Sequence, residues 1–192
     1  MRAALTVCGE SGYKDLSVQA VVERTATGRS GFYSMFKDMD ECLTTAYEQE
    51  VERLAALVLR PATHWDDWRS GMRAGLIQLF TYIEDEPLIA KTLVLEAYAI
   101  GGRVLEKHNQ VVDRFAEAID AARKELSSSD RPPPPMTAMG VVAGIENILQ
   151  GHLALDSPPD LWETLPDMMY FAVAQYFGME VAQLELRRER TE

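Results

Sequence analysis

Residues 17–37, SVQAVVERTATGRSGFYSMFK, hold two short apolar patterns at helical spacing with a tight turn between them. No other stretch constrains the fold as much. Ser17 suits the N-cap of the first helix, because its hydroxyl accepts from a backbone N–H that has no intrahelical partner. Val18, Val21 and Val22 then form one apolar face. Thr25 to Gly28 interrupt that face, and Gly28 tolerates a turn or cap conformation. In the second helix Phe32 and Phe36 lie one turn apart on the side predicted to be buried. The other side, Arg29, Ser30, Gly31, Tyr33 and Ser34, is small, polar and singly basic, a face suited to a DNA major groove.

Charge asks whether such a head could approach DNA at all, since the 192-residue chain carries a net charge of −11. Residues 1–37 hold five basic groups against three acidic ones, and the remainder holds 14 against 27, which together give that −11. A mildly positive head on an acidic body docks head-first on phosphate, with modest non-specific affinity and a shallow salt dependence. Apolar residues make up 47% of the chain, enough for a full core in one or two small domains. No run of 18 apolar residues is present, so no membrane-spanning helix is predicted. The N-terminus lacks a basic segment, an apolar run and a small-residue cleavage site, so no leader is expected there. Cys8 and Cys42 both fall in apolar helical patterns and read as buried, reduced thiols of a cytoplasmic protein.

The wider segment GYKDLSVQAVVERTATGRSGFYSMFKDMDECL resembles the DNA-binding segment of the tetracycline-repressor (TetR) family. The Gly12-Tyr13 start, the Ser17 cap, the Glu23-Arg24 helix end, the Phe32-Tyr33 pair and the Phe36-Lys37-Asp38 exit fall in register over about residues 3–45. The resemblance implies an all-α protein. A three-helix helix-turn-helix head over residues 1–45 would precede a helical effector-binding and dimerisation domain over residues 46–192. The chain also departs from the pattern. Gly31 stands where a threonine is frequent, Met39 where a phosphate-clamping lysine is common, Ala26 and Gly28 where glycine and serine are usual, and Cys8 where phenylalanine is common. The basic arm that usually precedes the first helix is not seen before Met1.

Helical periodicity organises the rest of the chain. A first helix covers residues 2–10, with Leu5 and Cys8 inward and Gly12 ending it in a left-handed conformation. Asp38 and Glu41 cap a long helix over residues 39–59, which Arg60-Pro61 stops. Further helices are predicted over residues 65–84, 87–99, 103–126 and 137–155, with Gly101-Gly102 as a break. Residues 127–135, SSSDRPPPP, read as an extended spacer. Gly140, Gly144 and Gly151 each cost about 1 kcal/mol against alanine in a helix interior, which suggests close approach of a backbone or ligand. A last helix begins at Ser157-Pro158, with Ser157 as cap, and runs to Phe177 or on through Leu186. Its apolar surface exceeds what one neighbour hides. A two-fold interface with a second copy through Val141, Gly144, Ile148, Gly151, Leu165, Met168 and Ala172 follows.

The candidate DNA contacts are Ser17, Thr27, Gly28, Arg29, Ser30, Gly31, Tyr33, Ser34 and Lys37. Tyr33, Ser17 and Lys37 suit phosphates and set register, whereas Arg29 suits guanine, whose two acceptors match its fork. The resemblance further implies an effector pocket, for which Trp68, Met72, Phe80, Tyr98, Phe115 and Met139 supply apolar lining and Asn147 and Gln150 polar handles. His64, His108 and His152 are isolated, so no metal site is predicted, and no cofactor motif or catalytic constellation is seen. The resulting expectation is a homodimeric regulator that occupies a palindromic DNA operator and is released by a small hydrophobic effector. Two alternatives stay open: a small-molecule-binding or scaffolding protein with a decayed DNA head, and a helical enzyme working in the body.

Overall fold

The computed structural model describes residues 1–62, 67–121 and 133–188, and every regular element among them is helical. Three short helices come first: α1 (Arg2–Ser11), α2 (Val18–Glu23) and α3 (Arg29–Met35). The long α4 (Met39–Ala62) and α5 (Trp68–Asp85) follow. Then come α6 (Pro87–Lys91), a π-helical turn (Thr92–Glu96), α7 (Ala97–Ile100) and α8 (Gly102–Asp120). The chain ends in α9 (Thr137–Leu153), α10 (Leu165–Phe177) and α11 (Met179–Glu185). None of the described helices is long and apolar enough to cross a membrane.

Local chemistry accounts for the element ends. Ser17 Oγ accepts from Ala20 N at 3.3 Å and starts α2. At the head of α4 the cap is reciprocal. Asp38 Oδ1 accepts from Glu41 N at 2.9 Å, and the Glu41 carboxylate accepts from Lys37 N at 2.6 Å. Gly12 takes φ 81° with ψ 160°, a positive-φ conformation that only glycine adopts readily, but outside the left-handed helical region predicted for it. Gly28 caps α3 with φ −76°, so the freedom of glycine is not used there.

Several predicted boundaries move. Arg60-Pro61 does not stop α4, which continues to Ala62. The single helix predicted over 87–99 is divided by the π-helical turn. Ser157 is not the cap of the last segment. Asp160 Oδ1 accepts from Trp162 N at 2.9 Å to start a short 3-10 turn, Leu161–Thr164, and α10 begins only after it. Gly178, with φ 83°, then separates α10 from α11. Trp65, the predicted start of α5, lies outside the described residues, as do His64 and residues 122–132 of the predicted α8 end and proline-rich spacer.

The described helices form two compact units, Met1–Leu54 with Tyr82–Val111, and Ala55–Thr81 with Val112–Glu192. The first buries Leu5, Cys8, Val21, Phe32, Cys42, Leu43, Tyr47, Leu93 and Val104. His108 belongs to this core, with Nδ1 3.0 Å from the Tyr47 hydroxyl and its ring edge-on to Tyr98. The second unit buries Leu76, Phe80, Val141, Leu149, Leu165, Met168, Met169 and Val173. Within it the Phe80 ring meets Trp162 edge-on at 5.3 Å, and Trp68 lies 5.5 Å from Tyr176.

Both cysteines are free and buried, and burial pushes the Cys8 thiol up to about 11. Cys42 is raised as well, again chiefly by burial. Thiolate is the reactive form. Native protein at pH 8 is therefore expected to resist a thiol-titrating reagent and to release both thiols on denaturation. Rapid native labelling of either would contradict the burial of these two side chains in α1 and α4.

Candidate nucleic-acid interface

The predicted reading helix is α3, and its two faces differ as the sequence requires. Phe32 is 3% exposed and stacks with Phe36, whose ring centre lies 5.6 Å away. Arg29, Ser30, Tyr33, Ser34 and Lys37 are exposed, Tyr33 edge-on to Phe32 at 5.4 Å. Gly31 and Thr27 are half-buried; a Cβ added at Gly31 would lie 2.7 Å from Thr27 Cγ2. The Ser34 hydroxyl is turned back onto Gly31 O at 2.7 Å, and Ser17 Oγ serves its own helix. Arg29 is the first residue of α3, beside the N-cap Gly28, and stands at the exposed helix start. The candidate contacts thus lie on α3 and the two residues before it, with Ser17 at the start of α2 and Lys37 two residues past the end of α3.

The head is held by contacts that pattern reading overlooks. Gly9 of α1 meets α6 so closely that a Cβ there would fall 2.0 Å from Leu88 O. Thr92 Oγ1 donates to Leu5 O at 2.7 Å, and Tyr13 N donates to Glu96 Oε2 at 3.0 Å. Residues 88, 92 and 96 recur every fourth position, so one face of α6 and the π-helical turn meets α1 at Leu5 and Gly9 and the chain just beyond it at Tyr13. A second anchor is Glu50, 5% exposed, whose Oε1 accepts from Arg2 at 2.8 Å, Arg53 at 2.7 Å and the Tyr82 hydroxyl at 2.9 Å. Burial, with the Glu50 carboxylate beside it, raises the Tyr82 hydroxyl pKa well above its usual range. An ion pair between Arg24 and Glu10 ties the end of α2 to α1. One sequence signal could have found Glu50: it stands on the apolar stripe of α4, three residues after Tyr47 and four before Leu54.

The second unit contains a cavity of about 540 Å³ between α4, α5, α8 and α9 residues. Its walls include Val58, Leu59, Trp68, Met72, Leu76, Leu79, Phe115, Ile119, Val142 and Ile145, with Arg114 and Glu117 as its charged members. Trp68, Met72 and Phe115 are among its lining residues. Phe80, Tyr98, Met139, Asn147 and Gln150 do not line this cavity. Phe80 is fully buried against Trp162, Tyr98 is 52% exposed in the other unit, and Asn147 is exposed on α9. Gln150 donates to Glu146 Oε1 at 3.4 Å.

The proposed partner-facing residues also divide. Val141, Leu165, Met168 and Ala172 are at most 1% exposed within the single chain, so they are core side chains rather than surface. Ile148 and Gly151 are exposed, and Gly144 is half-buried with its missing Cβ 3.4 Å from the Phe171 ring. Among the described residues nothing lies within 4 Å of a Cβ at Gly140 or Gly151, so the close approach predicted for the three glycines of α9 is seen there only at Gly144.

No curated protein matches the chain. Residues 1–46, the span of α1 to α3 and the start of α4, match the profile of the bacterial regulatory proteins of the tetR family. A capped α2, a turn, and an α3 anchored by Phe32 with a polar outer face are the helix-turn-helix that residues 1–46 share with the DNA-binding segment of tetR-family regulators.

Proposed function

We propose that the protein is a ligand-released repressor that holds a palindromic operator as a homodimer. The observation that carries this reading is the exposed face of α3, with Arg29 at its first turn and Phe32 fixing its inner side. Arg29 is read as the guanine contact, and Tyr33, Ser17 and Lys37 as phosphate contacts. Thr27, Gly28, Ser30, Gly31 and Ser34 line the groove side. Residues 1–45 act as the reading head and 46–192 as the effector and dimer body. The second copy docks on the exposed apolar surface of α9 and α10, where Ile148 is 41% and Phe171 44% exposed. The chain is a regulator rather than an enzyme, and its work on the chromosome puts it in the cytoplasm.

The effector is read as an uncharged, largely apolar molecule. The cavity walls are mostly aliphatic and aromatic, and a charged group placed against them would lose its hydration without a full set of partners. Val58 and Leu59 of the cavity belong to α4, the same helix whose first turn follows α3. An effector that fits best when α4 is tilted would favour the released state, and only such a preference can move the equilibrium.

Titration of a duplex enriched from a random library tests the reading. Arg29→Ala is expected to weaken binding about tenfold or more and to relax the guanine preference at one position of each half-site. An unchanged affinity and an unchanged site would remove Arg29 from the interface.

A further inference from the structure

α3 ends in an apolar side chain that the DNA reading so far does not use. Met35 is 59% exposed, more than any other large apolar residue of the first unit, beside Tyr33 at 57%. Gly31, four residues earlier, lies on the same flank of the helix. The space that a side chain at position 31 would fill is taken by the methyl of Thr27, 2.7 Å from the place of its Cβ. The Thr27 methyl over the bare Cα of Gly31, and Met35 one turn further along the same flank, thus make that flank of the head apolar. Neighbouring Ser34 turns its hydroxyl inward onto Gly31 O at 2.7 Å, which takes a polar group off the same flank.

Among the groups that a base pair presents in the major groove, one is apolar: the 5-methyl of thymine. A glycine in the middle of the reading helix also lets the backbone come nearer to the base edges than a side chain would allow. We infer that Met35, with Gly31 and the Thr27 methyl beside it, is a specificity-determining residue that selects thymine in each half-site through that methyl. The inference rests on α3 being the reading helix. It adds a second kind of readout beside Arg29, apolar rather than hydrogen-bonded, on the opposite flank of α3.

The test uses the full chain. Bound duplexes are first selected from a random library, and the selected thymines are then replaced one at a time by uracil, which keeps the hydrogen-bonding edge and lacks only the methyl. Wild type is expected to lose about fourfold in affinity per contacted methyl. Met35→Gln, of similar length and at an exposed site, is expected to bind thymine and uracil duplexes equally and to lose the thymine preference in a repeated selection. A selected site indifferent to uracil at every thymine would overturn the inference and leave the regulator reading intact. A Met35→Gln protein that keeps the uracil penalty, or that changes oligomeric state instead, would also overturn it. If no site is enriched at all, the DNA reading itself falls, and the inference falls with it.

Discussion

Glu185→Ala is expected to lower the melting midpoint of the protein by on the order of 10 °C. Glu185 is fully buried at the end of α11, where its carboxylate accepts from Arg69 at 2.6 Å and from Arg73 at 3.4 Å. Its backbone carbonyl accepts from Arg73 as well, at 3.3 Å. Arg73 is only 2% exposed, and burial pulls its pKa below the usual guanidinium value while the Glu185 charge opposes that pull. Removing the carboxylate takes from the buried Arg73 and from Arg69 the counter-charge they share, at a cost of about 3–5 kcal/mol. Removing both charges together has the opposite sign. A paired apolar replacement, Arg73→Met with Glu185→Leu, removes both charges and is expected to melt well above Glu185→Ala. Calorimetry of the wild type and the two variants decides it. If Glu185→Ala melts with wild type, the pair does not anchor α11 to α5.

Gly9→Ala is expected to destabilise the first unit by about 1–3 kcal/mol and to weaken DNA binding with it. The single added methyl would sit 2.0 Å from the carbonyl oxygen of Leu88. That neighbour is backbone, so α1 and α6 must separate. Separation strains two further contacts on the same face, Thr92 to Leu5 O and Tyr13 N to Glu96. Because α1 also carries the Arg2–Glu50 and Arg24–Glu10 ion pairs, its displacement changes the position of α2 and α3. The same substitution at Gly140 offers the contrast. Its Cβ would meet nothing within 4 Å, so Gly140→Ala is expected to gain up to about 1 kcal/mol from helix propensity alone. Opposite signs for the two glycine variants, read by thermal melts, would support the close approach of α1 to Leu88. A stable, fully active Gly9→Ala would contradict it.

These two sites also show where sequence reading stops. The head was legible because local rules act there in agreement. A serine cap, valines at three- and four-residue steps, and Phe32 with Phe36 one turn apart each specify the same short helices. The long α4 was legible for the same reason, through its reciprocal cap and sustained apolar stripe. Its end was not: Pro61 has no N–H to give back to the helix, yet α4 runs one residue beyond it to Ala62. The π-helical turn carries no proline or glycine and is a tertiary feature: it presents Thr92 and Glu96 to α1. Glu50 and Arg73 were passed over because charged residues on a helix normally face water. Each instead interrupts an apolar stripe at helical spacing, and each is buried against an opposite charge far along the chain. Of the pocket residues, Trp68, Met72 and Phe115 were reachable by pattern, whereas Phe80 and Tyr98 show that periodicity marks an inward face without saying which side chains meet a void.

The central claim is that α3 reads duplex DNA, two copies at a time. Selection from a random duplex library at low and at moderate salt tests it most directly. The expected result is enrichment of a palindrome whose half-sites lie about one helical turn apart, or a few base pairs more. The number of head cations is small, so affinity should fall only gently between the two salts. Enrichment of no sequence at either salt, from protein that is folded and binds an apolar compound in its second unit, would contradict the claim and leave a small-molecule-binding protein whose head no longer reads DNA.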